Sequence, residues 1–354
     1  MKQRIKQMAT VGLLLWPALL AHGGPTVGYN YVDVPPSSDF VMAIPFRTEV
    51  MFTGAVASVT ANSITVTGTP FTPGEYANLF YVRYTSGAKN GQWATITANT
   101  ANTLTLAYDT AGVSVGDTFQ IEAHWTLGTA FPAWLEGTSF INSTGTAPAF
   151  RRTEVRLIDE ISTGLLNRPA GGGGTFFFGT HQTNGFWRST AAPSANANNT
   201  VLKPMQYLVV RNQGTNVTLR VFTLGEVDEG RVGTRVRRDA SDNDVPVSSG
   251  RPVPVSLAEL GLAGTPAFTS SPNALPPNRR DEVRLFDNLV TGFNKPAGGG
   301  GTYFHRSDLN IWVSAASPGV DVSNQKIIQP SQGFVIRRKG GTALNAEWSN
   351  NPPY

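Results

Sequence analysis

Apolar and polar positions alternate along most of the chain with a period of two, the spacing that buries one face of a β-strand. Val155 and Leu157 alternate with charged residues, and so do Val283 and Leu285. The runs Ser63-Ile64-Thr65-Val66 and Leu104-Thr105-Leu106 behave the same way, with turn signals at Asn62-Ser63 and Asn90-Gly91 between such runs. Ser256–Leu262 is the one short stretch with helical composition. The pattern predicts an all-β chain.

A duplication organises these strands. RTEVRLIDEISTGLLNRPAGGGGTFFF, beginning at Arg152, is repeated as RDEVRLFDNLVTGFNKPAGGGGTYFH, beginning at Arg280. Glu154 matches Glu282, Asp159 matches Asp287, Trp187 falls opposite Trp312, and Val201–Gly214 falls opposite Ile327–Gly340. Two copies are too few for a solenoid, so a pseudo-symmetric pair of β units is expected. Residues 51–123 carry a different pattern of five or six short strands and predict a small barrel or sandwich module. That module interrupts the main body, whose first strands lie in 24–50. The first repeat unit then covers 124–229 and the second 257–354. The stretch 230–256, with arginines and aspartates among Ser, Asn, Gly and Pro, predicts an exposed polar linker. The expected architecture is two related antiparallel units forming a sandwich-like body, with the small module inserted near the N-terminus.

Residues 1–23 change the setting. Lys2, Arg4 and Lys6 precede an apolar run from Met8 to Leu20, and small residues follow at Ala21, Gly23 and Gly24, the order of a secretory signal. Export to the periplasm, cell surface or medium is expected; an N-terminal membrane anchor is the alternative. Without the three leading cations the balance falls from 28 basic against 24 acidic residues to 25 against 24. The basic character of the whole chain therefore gives no reason to expect a nucleic-acid partner. The chain has no cysteine, which excludes disulfides, thiol catalysis and Cys-ligated zinc. No second long apolar run predicts a transmembrane helix in the mature chain.

Candidate chemistry is sparse. His124, His181 and His305 form no metal-binding spacing. Glu154 and Glu282 could face each other across a pseudo-dyad as a glycosidase pair, which needs a separation of about 5 to 10 Å. Their arginine-rich surroundings point instead to exposed ion pairs on a sheet. The GGGG tracts lack the lysine, hydroxyl residue and helix of a phosphate loop and are expected as β-turn loops. Asp239, Asp242 and Asp244 form a weak calcium candidate without the glycine and distal glutamate of an EF-hand. Trp187 and Trp312, with Phe177 and Tyr303 nearby, are the best ligand-binding candidates, because an exposed ring on a rigid sheet can stack on a sugar; packing in the core is the weightier alternative for the same rings.

Together, VDVPPSSDFVMAIPF, FTGAVASVTANSITVTG, SGAKNGQWATITANTANTLTL, HWTLGTAFP, the duplicated E-V-R-L units and the closing EWSNNPPY resemble an uncharacterised family of exported all-β repeat proteins of verrucomicrobial-type bacteria. The resemblance implies export and a shared β architecture, and no activity. Three functions stay open: a non-enzymatic structural or adhesive protein that meets itself or other cell-surface components, an extracellular carbohydrate-binding protein, and a polysaccharide-degrading enzyme.

Overall fold

The computed structural model describes residues 25–160, 162–179 and 185–354. The expected export signal and His181 lie outside the described residues. The chain is all-β, built from antiparallel sheets in a sandwich-like body without a closed barrel.

The first unit opens with β1 (Val27–Val34) and β2 (Ser38–Ala43). The inserted module follows as β3 (Val50–Ala55), β4 (Ser58–Val59), β5 (Ser63–Thr65), β6 (Phe80–Tyr84), β7 (Trp93–Asn99), β8 (Thr103–Leu106) and β9 (Thr118–Ala123). The first unit resumes with β10 (Trp125–Thr126), β11 (Thr153–Ile158), β12 (Ala170–Gly179), β13 (Phe186–Ser189), β14 (Val201–Leu202), β15 (Tyr207–Asn212) and β16 (Leu219–Glu226). The second comprises β17 (Val232–Arg238), β18 (Asn243–Ser248), β19 (Glu282–Leu285), β20 (Gly301–Arg306), β21 (Ile311–Ser314), β22 (Ser317–Asp321), β23 (Gly333–Arg338) and β24 (Leu344–Asn350).

The two units share one topology. The main sheet runs β2-β15-β11-β12-β13 in the first and β18-β23-β19-β20-β21-β22 in the second, and each unit adds a two-stranded ribbon, β1-β16 or β17-β24. This corrects two expectations. Residues 230–256 are no exposed linker: 232–238 and 243–248 are the strands that open the second unit, in the places β1 and β2 hold in the first. Ser256–Leu262 forms turns rather than a helix, closed by Ser256 N–H donating to Glu259 and Glu259 N–H donating to the Ser256 hydroxyl. The module is an open seven-stranded sheet, β3-β9-β6-β7-β8-β5-β4, around its own core of Ile64, Val82, Ile96, Leu104, Phe119 and Ile121.

Each unit packs its ribbon over one face of its main sheet. Val155, Trp187, Val210 and Leu219 fill the first core; Val236, Val283, Trp312, Ile336 and Trp348 fill the second. The opposite sheet faces meet each other through Val41, Ala43, Tyr207, Val209, Phe286 and Val335. Period-two alternation thus serves two cores at once, one within each unit and one between them. Tyr207 and Gly333 hold matching repeat positions, and a Cβ at Gly333 would fall on the Tyr207 side chain, so only glycine lets the sheets close. The glycine tracts are matched in geometry too. A Cβ on Gly173 or Gly300 would stand 2.5 Å from the carbonyl oxygen of Ile158 or Phe286, so the chain can lie against the preceding strand there only without a side chain. The first tract, however, is not the expected β-turn loop but lies within β12, where the pairing with β11 shifts register, while the second is a turn up to Gly301.

Candidate functional site

The aromatic ligand candidates are core residues. Trp187 and Trp312 are buried, at 1% and 2% exposure, and Phe177 is fully buried. The Trp187 indole N–H donates to the Phe131 carbonyl at 2.9 Å, and its ring packs on Phe131, Phe140 and Phe178. Trp312 packs on Phe268 and His305. Tyr303 is half-buried against the second core. None of the three buried rings can stack on a sugar, because the faces that would do so already pack on neighbours.

The acidic candidates are held by arginines, lysine and backbone. Glu154 is buried rather than exposed, and it accepts from Arg156 at 2.6 Å and from Arg151 at 3.2 Å. Glu282 accepts from Arg284 in the same way, at 2.6 Å. Asp159 and Asp287 each accept backbone N–H groups of the turn that follows, from Ser162 and from Leu289 and Val290. Each of these glutamates thus has carboxylate oxygens engaged by an arginine two residues away.

The aspartates of the calcium candidate do not converge. Asp239 accepts from Gly164 N–H at 2.7 Å and pairs with Arg237 at 2.9 Å. Asp242 pairs with Lys339 and accepts from Gly340 N–H, both at 2.8 Å. Asp244 pairs with Arg337 at 2.7 Å and accepts from Asn167 N–H at 2.6 Å. Among the described residues no group of three His, Asp or Glu is arranged to hold a metal ion.

These contacts form a clasp that sequence reading missed. The loop after β11 reaches across to the second unit, where Asn167 donates its N–H to Asp244 and accepts from Arg337 through its side chain at 2.8 Å. The loop after β19 reaches back. There Asn294 donates its N–H to Asp39, and its side chain accepts from Arg211, both at 2.7 Å. Arg211–Asp39 and Arg337–Asp244 are two-point pairs, each joining cross-strand partners in its own sheet. Asn167 and Asn294 share the left-handed backbone, at φ 49° and 54°, which asparagine tolerates better than most residues. The available signal was the repeated N-[RK]-P-A-G-G-G-G, with asparagine ahead of the glycines.

Two cavities flank the interfaces. One of about 470 Å³ lies where the module meets both units, lined by Phe46, Arg47, Arg83, Trp93, Lys203 and Asp228 among others. Its charges answer one another: Arg83 with Glu122 and Asp228, Arg47 with Glu226, and Lys203 with Glu160. Tyr81 donates to Glu122, and burial pushes the Tyr81 phenol well up. His124 is buried beside them with its Nε2 3.0 Å from the Thr95 hydroxyl; burial drives its pKa down to about 3, so it stays neutral. Burial also lowers His305, which contacts Ser270 at 2.9 Å. The second cavity, about 390 Å³, lies between the units beneath the clasp.

The ribbons differ in what covers them. Outward positions of β17-β24 are Gly233, Arg235, Glu347 and Ser349, paired across the strands as Gly233 with Ser349 and Arg235 with Glu347. The module lies on this face: the Arg235 guanidinium stands 4.2 Å from the Tyr108 ring, Lys89 pairs with Glu347, and Gln92 donates to the Trp348 carbonyl at 2.8 Å. The same positions of β1-β16 are Tyr29, Tyr31, Phe222 and Leu224, paired as Tyr29 with Leu224 and Tyr31 with Phe222. Nothing in the described chain covers Tyr29, Leu224 and Tyr31, which are 77%, 50% and 46% exposed, while Phe222 between them is partly buried against the first core. The Asp33–Arg220 pair borders this face, with the guanidinium 4.5 Å from the Tyr31 ring.

No protein-family model matches the chain, and neither does any curated protein or solved structure.

Proposed function

We propose that the chain is an exported, non-enzymatic structural or adhesive subunit that pairs with a second copy of itself through the open β1-β16 face. One observation carries this reading. At equivalent positions the covered ribbon is polar and the uncovered one is aromatic and aliphatic. A contiguous exposed apolar face of this kind marks an interaction surface. The partner is a second copy because such a face is self-complementary: Tyr29 and Leu224 sit opposite each other, so a twofold axis sets each tyrosine on the other chain's leucine. The signal-like N-terminus and the resemblance to exported β proteins support export. The engagement of Glu154 and Glu282 in arginine pairs supports a role without catalysis.

The absence of cysteine supplies a test. Under mild oxidation, an equal mixture of Tyr29→Cys and Leu224→Cys chains is expected to form a disulfide-linked dimer, because the twofold axis sets position 29 of one chain on position 224 of the other. Val320→Cys, at an exposed position on β22, is expected to remain monomeric. Equal cross-linking of the mixture and of Val320→Cys, or none in either, contradicts the reading.

A further inference from the structure

The cavity between the units is lined in matched pairs: Asp39 and Asp244, Asn167 and Asn294, Arg168 and Lys295. The last pair breaks the symmetry. Arg168 spends its guanidinium on backbone carbonyls, donating to Asp244 at 2.6 Å, Asp159 at 2.7 Å and Ser162 at 2.8 Å. Lys295 presents a single nitrogen in place of that three-armed fork. Its Nζ is buried without a hydrogen-bond partner. A buried ammonium that lacks an acceptor is costly, and native structures rarely leave one unanswered.

The surroundings select what could answer it. Asp39 and Asp244 also line the cavity, but Arg211 and Arg337 already neutralise them. The remaining lining includes Val41, Tyr207, Val209, Phe286 and Val335, an apolar floor beneath the charged rim. Burial lowers the Lys295 ammonium from its ordinary value, against the pull of Asp287 and Asp39.

We propose that this cavity binds a small organic anion, a carboxylate carried on an apolar body, with its oxygens accepting from Lys295 and its body lying on the apolar floor. An apolar wall with one placed cation is the usual composition of such a site.

Benzoate is the probe, titrated calorimetrically into the full-length mature chain. The wild type is expected to take up one benzoate per chain. Lys295→Met is expected to weaken binding roughly tenfold or more, the worth of a hydrogen bond to a charged group. Lys295→Arg keeps the charge and can reach the carbonyls that its counterpart reaches, so it is expected to weaken binding as well. That result separates a free donor from net charge and guards against a methionine variant that folds poorly. Absence of benzoate binding to the wild type, meaning that the cavity holds water alone, overturns the proposal. So does unchanged affinity in either variant.

Discussion

The carboxylate of Asp244, in the second unit, accepts the backbone N–H of Asn167, from the first, at 2.6 Å. Asp39 and Asn294 make the same contact in the opposite direction at 2.7 Å. Each unit therefore completes the polar edge of the other's sheet, and neither is closed alone. Both aspartates are 2% exposed at the side chain, and their arginines 12% and 15%. Removing either aspartate leaves a largely buried guanidinium without its carboxylate, with only an asparagine oxygen to accept from it. Asp39→Ala and Asp244→Ala are each expected to cost about 3–5 kcal/mol. Urea denaturation should show losses similar to each other; a loss below about 1 kcal/mol in either variant would mean that the clasp is ornamental.

The sheets approach most closely where Tyr207 overlies Gly333. Gly333→Ala is expected to destabilise the fold by about 1–3 kcal/mol through overpacking. Combining it with Tyr207→Ala should recover part of that loss. Denaturation midpoints of the two single variants and the double variant give the coupling energy, and simple additivity would show that the two positions do not meet.

His124 links stability to pH. Its folded pKa of about 3 lies below the ordinary value near 6.5, so between these limits the unfolded chain binds the extra proton. The stability contributed by neutral His124 is complete above pH ~6.5 and is lost as pH falls toward 3, on the order of 5 kcal/mol in all. His124→Gln should flatten the stability profile between pH 7 and 4 relative to the wild type. Parallel profiles would show that another group carries the effect.

Trp187 acts through packing. Trp187→Ala is expected to lower stability by about 3–5 kcal/mol, as for a large buried ring. Thermal or urea unfolding measures this directly; a variant as stable as the wild type would mean that the ring is not the core element its contacts describe.

The all-β, antiparallel architecture was legible because period-two alternation survives in the side chains. The start of the second unit was not. β17 and β18 occupy the places of β1 and β2, yet Tyr31 is answered by Arg235 and Tyr29 by Gly233, since one ribbon lies under the module and the other is open. Arg237, Asp239 and Asp244 read as a solvated loop because a sequence shows charge and hides its partner; here the partners are a neighbouring residue, the first unit and the next strand. The tryptophans were left open between core and ligand surface for a related reason. Both central residues of β13 and of β21 are buried, so alternation could not tell which ring faces water.

The pairing of two copies through the open ribbon is tested most directly by light scattering across a range of protein concentrations, comparing the wild type with Tyr29→Ser/Leu224→Ser. Both positions are exposed, so the double variant should keep the fold. The wild type is expected to approach twice the mass of one chain as concentration rises, while the double variant stays at one. A wild type that remains at the mass of a single chain throughout, or a double variant that associates just as well, would contradict the account.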